Sequence, residues 1–262
     1  MKRYKSIDAN ILIIRIIQII SKFVYSYRYS FMKIAIIIYG PPGSGKGTQA
    51  QLLADKLGLI HFDTGKYIEQ VVHNSANKKN KIIQEQRRLF DSGALCEPSW
   101  VLNIVKEKVG QLAASGLGVV FSGSPRTLFE SFGSKKQKGL IAVLENYYNK
   151  KNISVFFIDI PSSESLQRNG SRLMCSVCGT QVLNKVFKFK GLKLLKCPFC
   201  GGKLYRRSLD KPEIIKIRIE EYKKRTMLIA KELKKCGYRI VHINGKPLPS
   251  KVNQSILKWV LK

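Results

Sequence analysis

Gly40-Pro41-Pro42-Gly43-Ser44-Gly45-Lys46-Gly47-Thr48 stands between an apolar run, Ile34–Tyr39, and an amphipathic segment, Thr48–Leu57. Glycines at this spacing let the chain curl until several N–H groups and a helix N-terminus face one anion. Lys46 adds a charge suited to β- and γ-phosphates, and a hydroxyl can reach Mg2+. The strict pattern has Ser or Thr directly after the Lys, whereas here Gly47 precedes Thr48. A ligand-free glycine turn is the alternative. The strand before and helix after favour a nucleotide-phosphate cradle built from Gly40, Gly43, Ser44, Gly45, Lys46, Gly47 and Thr48.

A second constellation is Cys175-x2-Cys178-x18-Cys197-x2-Cys200. Each pair can present two thiolates from one tight turn, helped by Gly179 and Gly201, and two such knuckles close a tetrahedral Zn2+ site. Free thiols or two disulfides are the alternatives. Four Cys ligands leave no open coordination position, so the metal expected here is structural, and a reducing, cytoplasmic compartment follows. Cys96 and Cys236 are left over as ordinary core or surface thiols.

These residues need a frame. The 262 residues include 44% hydrophobic ones, enough to bury a core, which excludes a disordered or collagen-like chain. That length suits one α/β domain with an insertion, or two small domains. Lys+Arg number 47 against 17 Asp+Glu, a net charge of +30 that favours polyanionic partners without choosing among them. Since Lys dominates nearly every segment, a general compositional bias explains the excess better than a dedicated nucleic-acid surface. Apolar runs at Ile34–Tyr39, Gly118–Phe121, Val155–Ile160 and Tyr238–Ile243 read as strands of a parallel sheet covered on both faces. Helices are predicted over Thr48–Leu57, Ser99–Ala114, Leu140–Asn149, Ser163–Asn169, Pro212–Lys235 and Ser250–Leu261. Asp210 and Glu213 suit a capping box for the long one. At the N-terminus, Ile11–Ile20 carries Arg15 and is too short for a bilayer, so no membrane span is expected, and residues 1–31 read as an extension.

The segment Gly-Pro-Pro-Gly-Ser-Gly-Lys-Gly-Thr-Gln-Ala closely resembles the P-loop of adenylate kinases and related nucleoside monophosphate kinases. The resemblance continues in order through Asp63-Thr64-Gly65, Ser122-Gly123-Ser124-Pro125-Arg126-Thr127, Arg168, Arg172, the Cys insertion, Arg207 and Arg218. It implies a P-loop NTPase-type three-layer α/β fold. The implied core comprises 32–63, 94–172 and 206–262, with an acceptor-binding helical flap at 64–93 and a zinc-bearing lid at 173–205. It also implies transfer from Mg·ATP to a nucleoside monophosphate, most simply AMP, giving two ADP, by a monomer with no obligate nucleic acid. By the same resemblance Arg126 would bind the acceptor phosphate and Arg168 would lie against the donor base. Arg172, Arg207 and Arg218 would join Lys46 on the migrating phosphoryl group. Thr64, Gly65, Lys66, Gly123 and Glu130 would line the acceptor site.

The chain departs from that pattern. Lys66 and Glu69 stand where Asp and Arg usually follow Thr-Gly. Ser122 replaces an acid that helps hold hydrated Mg2+. Glu130 replaces the Gln that reads adenine, and Leu173 and Leu209 occupy lid-hinge positions where Arg and Asp are common. Two other readings therefore stand beside the kinase. One is an ATP-binding protein with little transferase activity. The other is a zinc-ribbon nucleic-acid module, since residues 173–207 hold Lys185, Lys188, Lys190, Lys193, Lys196, Lys203, Arg206 and Arg207 with interleaved Phe187, Phe189, Phe199 and Tyr205 and no acid.

Overall fold

A computed structural model of the chain describes residues 33–77, 79–183 and 196–261. In chain order its elements are β1 (Ala35–Tyr39), α1 (Lys46–Leu57), β2 (Ile60–Asp63), α2 (Thr64–His73), α3 (Lys81–Ser92), α4 (Pro98–Ala114), β3 (Val119–Ser122) and α5 (Leu128–Phe132). A two-residue hairpin, β4 (Gly133–Ser134) with β5 (Gln137–Lys138), precedes α6 (Leu140–Tyr148), β6 (Ile153–Asp159) and α7 (Ser162–Ser171). Then come β7 (Arg172–Cys175), β8 (Gln181–Leu183), β9 (Leu204–Tyr205), α8 (Pro212–Glu221), α9 (Met227–Lys235), β10 (Ile240–Asn244) and α10 (Pro249–Val260).

Five strands form one parallel sheet in the order β10-β6-β1-β3-β2. Alternation along β1 explains its burial on both faces. Ala35, Ile37 and Tyr39 join one core with residues of α4, α6 and α9, while Ile34, Ile36 and Ile38 join another with α1 and α10. This is the three-layer α/β fold. With β1 central and later strands added on both sides, the crevice at the strand carboxyl ends is where ligands bind in such sheets.

The strand missing from the sequence reading is β2. Its four residues, Ile60-His61-Phe62-Asp63, are all half-buried and carry two polar side chains, so no apolar run marks them. Its register sets Asp63 beside Ser122 of β3. The long helix expected over Pro212–Lys235 is interrupted by a wide turn at Tyr222–Thr226. Nor does Asp210 cap it: Lys211 is the N-cap, without a side-chain bond, and the Asp210 carboxylate is committed to Arg172 instead.

Beyond the sheet, β8-β7-β9 make a small antiparallel sheet that carries the cysteine pairs. Phe199 and Tyr205 are exposed there, so they supply no lid core, whereas Met174 and Val182 are buried. Phe187, Phe189 and the lysines at 185, 188, 190 and 193 lie outside the described residues, as do residues 1–31. Among the described residues no helix is long and apolar enough to cross a membrane.

Candidate active site

The loop after β1 wraps round the Lys46 ammonium, whose Nζ donates to the carbonyls of Gly40 (2.7 Å) and Pro41 (2.9 Å). Gly40 has φ +153°, and a Cβ there would lie 2.5 Å from Ser44 Oγ and 2.6 Å from the Ile158 carbonyl, so the turn admits no side chain. Ser165 of α7 braces the loop by donating to Pro42 O at 2.5 Å. Ser44 Oγ is buried and has no partner among the described residues. Burial lowers the Lys46 ammonium well below its ordinary value, Arg126 and Arg218 lower it further, and Asp63 opposes them. A buried cation beside an unpartnered hydroxyl at a helix N-terminus fits an anion.

A solvent-open cleft of about 2150 Å³ runs from this loop to the cysteine sheet. Gly43 to Thr48, Gly65, Lys66, Gly123, Arg126, Arg168, Arg172, Arg207 and Arg218 all line it, and Gly40 lines an adjoining recess with Lys46, Arg126 and Arg218. Arg172 is the buried arginine of the group and Arg218 is half-buried. The Arg218 Nη1 is buried without a partner, and burial, with the fields of Arg126, Arg172 and Arg207, pushes its guanidinium down to about 9. Mutually repelling cations in a partly desolvated cleft are stabilised by an anion bringing several negative charges.

The remaining arginines are held by neighbours. Arg126 donates from Nε to Gly123 O at 2.5 Å. Arg168 pairs with Glu164 one turn earlier at 2.6 Å and reaches the Lys246 carbonyl at 3.3 Å. Arg207 donates to Glu69 Oε2 at 2.8 Å, joining α2 to the segment after β9. Glu69 is thus an anion already paired with one of the clustered cations.

Two expected acceptor ligands are not brought to the cleft. Thr64 is buried and lines no part of it. The Glu130 carboxylate turns into its own loop, accepting from Arg126 N (2.8 Å), Thr127 Oγ1 (3.1 Å) and Ser124 Oγ (3.4 Å). Thr127 in turn caps α5 by accepting from Glu130 N, while the Glu130 carboxylate reaches back to Arg126 N, one residue before the cap. Burial raises the Glu130 carboxyl above the usual range despite those donors. The spacing Thr127-x2-Glu130 was the sequence signal for this role.

Comparison with known proteins is consistent with this geometry. The family model for adenylate kinase matches residues 38–238. An adenylate kinase of Methanothrix thermoacetophila is 32% identical over 229 residues, spanning 87% of this chain and 98% of that one. One from Chlamydia pneumoniae is 33% identical over 226 residues, 86% and 97% of the respective chains. The chain belongs to the adenylate kinase family.

It is accordingly an enzyme of the nucleoside monophosphate kinase type. The cysteines fit the zinc expected from their spacing. Their four Sγ atoms lie within 4.8 Å of one another, with Cys175–Cys200 at 3.4 Å and Cys178–Cys197 at 3.7 Å. A tetrahedron of ~2.3 Å Zn–S bonds has edges of about 3.8 Å, whereas a disulfide needs about 2.05 Å. Gly179 and Gly201, at φ +66° and +73°, let each knuckle turn back on its first Cys carbonyl. Cys96 is buried and its thiol is pushed up to about 11, as an inert core residue requires.

Proposed function

We propose that the chain moves the γ-phosphoryl group of ATP to AMP, forming two ADP, and that the segment 173–205 closes over the donor while 64–93 covers the acceptor. The observation that carries this reading is the convergence of Lys46, Arg126, Arg172, Arg207 and Arg218 on one cleft at the carboxyl edge of a parallel sheet. A protein that only binds ATP has no need of cations on both sides of the transferring group.

Phosphoryl transfer asks for positioning and for positive charge around a spreading anionic transition state. In this assignment Gly43, Ser44, Gly45, Gly47 and Thr48 bind donor phosphates through backbone N–H groups and hydroxyls, and Arg168 lies against the donor base. Arg126, with Gly65, Lys66 and Gly123 round it, holds the acceptor phosphate, which is already an anion and needs no general base. Lys46, Arg172, Arg207 and Arg218 stabilise the migrating charge. The Mg2+ that accompanies ATP would neutralise further charge on the phosphates, and the Thr48 hydroxyl would help hold it. Closure excludes water, which would otherwise accept the phosphoryl group.

Incubating the full chain with Mg·ATP and, separately, AMP, GMP, CMP or UMP, followed by chromatography, tests the reading. ADP is expected as sole product with AMP, and far less diphosphate from the other acceptors. No diphosphate with any acceptor, despite bound ATP, overturns it.

A further inference from the structure

By the resemblance described above, Ser122 stands where an acid for hydrated Mg2+ is usual, yet the cleft still contains a carboxylate suited to that task. Of the described residues lining the cleft only Asp63 and Glu164 are acidic, and Glu164 is tied to Arg168 at 2.6 Å. Asp63 sits on β2 in register with Ser122 on β3, which places a carboxylate one strand away from Ser122 at the same edge of the sheet. Its Oδ1 accepts from Lys66 N at 3.2 Å as the N-cap of α2. Its Oδ2 faces the P-loop, 3.9 Å from the point a Cβ on Gly47 would occupy.

Ser122 is itself oriented. Gln51 Nε2 donates to Asp55 Oδ1 at 2.7 Å, because a carboxylate can only accept, and this leaves Gln51 Oε1 to accept from His61 Nδ1 at 3.0 Å. His61 Nε2 is then the acceptor for the Ser122 hydroxyl proton at 2.8 Å. The Ser122 oxygen therefore offers lone pairs, and no proton, to the cleft. A hydrated divalent cation presents only water O–H donors to its surroundings, so an acceptor-only hydroxyl beside an anionic oxygen is complementary to it.

We infer that Asp63 Oδ2, with Ser122 Oγ fixed by His61, replaces the missing acid as the anchor for the hydration shell of the divalent cation carried by the donor nucleotide. Asp63 is a positioning residue: it acts on the cation, which acts on the phosphates. The inference rests on ATP being the donor, as proposed above, but does not require that transfer occur.

Asp63→Asn is the decisive variant, because Asn caps a helix as well as Asp and so preserves α2 while removing the charge. The readout is Mn2+ affinity of the full chain saturated with ATP and without acceptor, followed by electron paramagnetic resonance, together with metal-free ATP affinity by calorimetry. The expected result is an Mn2+ affinity about tenfold weaker in Asp63→Asn, metal-free ATP binding that does not weaken, and recovery of most of the loss in Asp63→Asn/Ser122→Asp. An Mn2+ affinity within about twofold of the parent, or an equal fall in metal-free ATP binding, overturns the assignment. Diphosphate formation answers the kinase reading separately. A silent enzyme whose Mn2+ affinity still depends on Asp63 refutes only the transfer, and an active one indifferent to Asp63 refutes only the anchor.

Discussion

Arg172 and Asp210, 38 residues apart in sequence, grip one another through two parallel hydrogen bonds, Nε to Oδ2 at 2.9 Å and Nη2 to Oδ1 at 2.5 Å. They stand at the two ends of the cysteine-bearing segment, and both are buried, with side-chain exposures of 10% and 2%. Removing one member of a buried pair leaves the other charge uncompensated. Asp210→Ala should therefore cost about 3–5 kcal/mol in denaturant unfolding, and Arg172→Ala/Asp210→Ala less than the two single changes summed. Additive losses would show that the pair is not a coupled unit.

Lys46→Ala should lower kcat by about 10²–10³-fold while leaving the far-UV circular dichroism of the sheet unchanged. Among the described residues the hydrogen bonds of its Nζ go to carbonyls of its own loop, so the strands and helices of the core do not depend on them. Turnover equal to the parent's would remove Lys46 from the transfer step.

Metal analysis should find one zinc per chain, and chelation should lower the melting temperature. Among the described residues the cysteine sheet buries only a few apolar side chains, among them Met174 and Val182, and four thiolates on one metal would tie its two knuckles together. A chain that contains no zinc, or melts identically with and without chelator, contradicts the four-thiolate site.

Glu69→Gln should raise kcat/KM for the acceptor. The carboxylate holds Arg207 at 2.8 Å, and an incoming phosphate must compete for that guanidinium. Because Glu69 is 40% exposed, the pair is worth at most about 1 kcal/mol, which limits the gain to roughly fivefold. An unchanged or lowered kcat/KM would mean that Arg207 does not meet the migrating phosphoryl group.

Glu130→Gln should flatten the pH dependence of stability. The buried carboxyl holds its proton above the ordinary value of 4.5, so the folded state binds more protons than the unfolded one as pH rises from there. Stability contributed by the protonated form is therefore lost with increasing pH, up to the raised folded value. The variant should gain over the parent at neutral pH and converge with it below about 4.5. Parallel curves across that range would show the carboxyl to be unshifted.

The P-loop, the paired cysteines and the sheet class were determined by the sequence itself, since each depends on residues a few positions apart or on a run of apolar side chains. Glycine spacing dictates a local turn, CxxC dictates a knuckle, and unbroken apolar strands dictate a sheet covered on both faces. Tertiary structure alone decided which distant polar groups meet. Asp210 suits a helix cap in sequence, but the buried Arg172 guanidinium needs a counter-charge more than a helix start needs a cap, and folding brings them together. Glu130 was expected at a nucleotide base, yet the short helix Leu128–Phe132, invisible as a periodic pattern, turns it inward. Asp63 and Ser122 become neighbours through the register of a strand only four residues long, and Glu69 reaches Arg207 across 138 residues. Such pairings follow from how strands align and helices pack, and long-range register leaves no trace in local spacing.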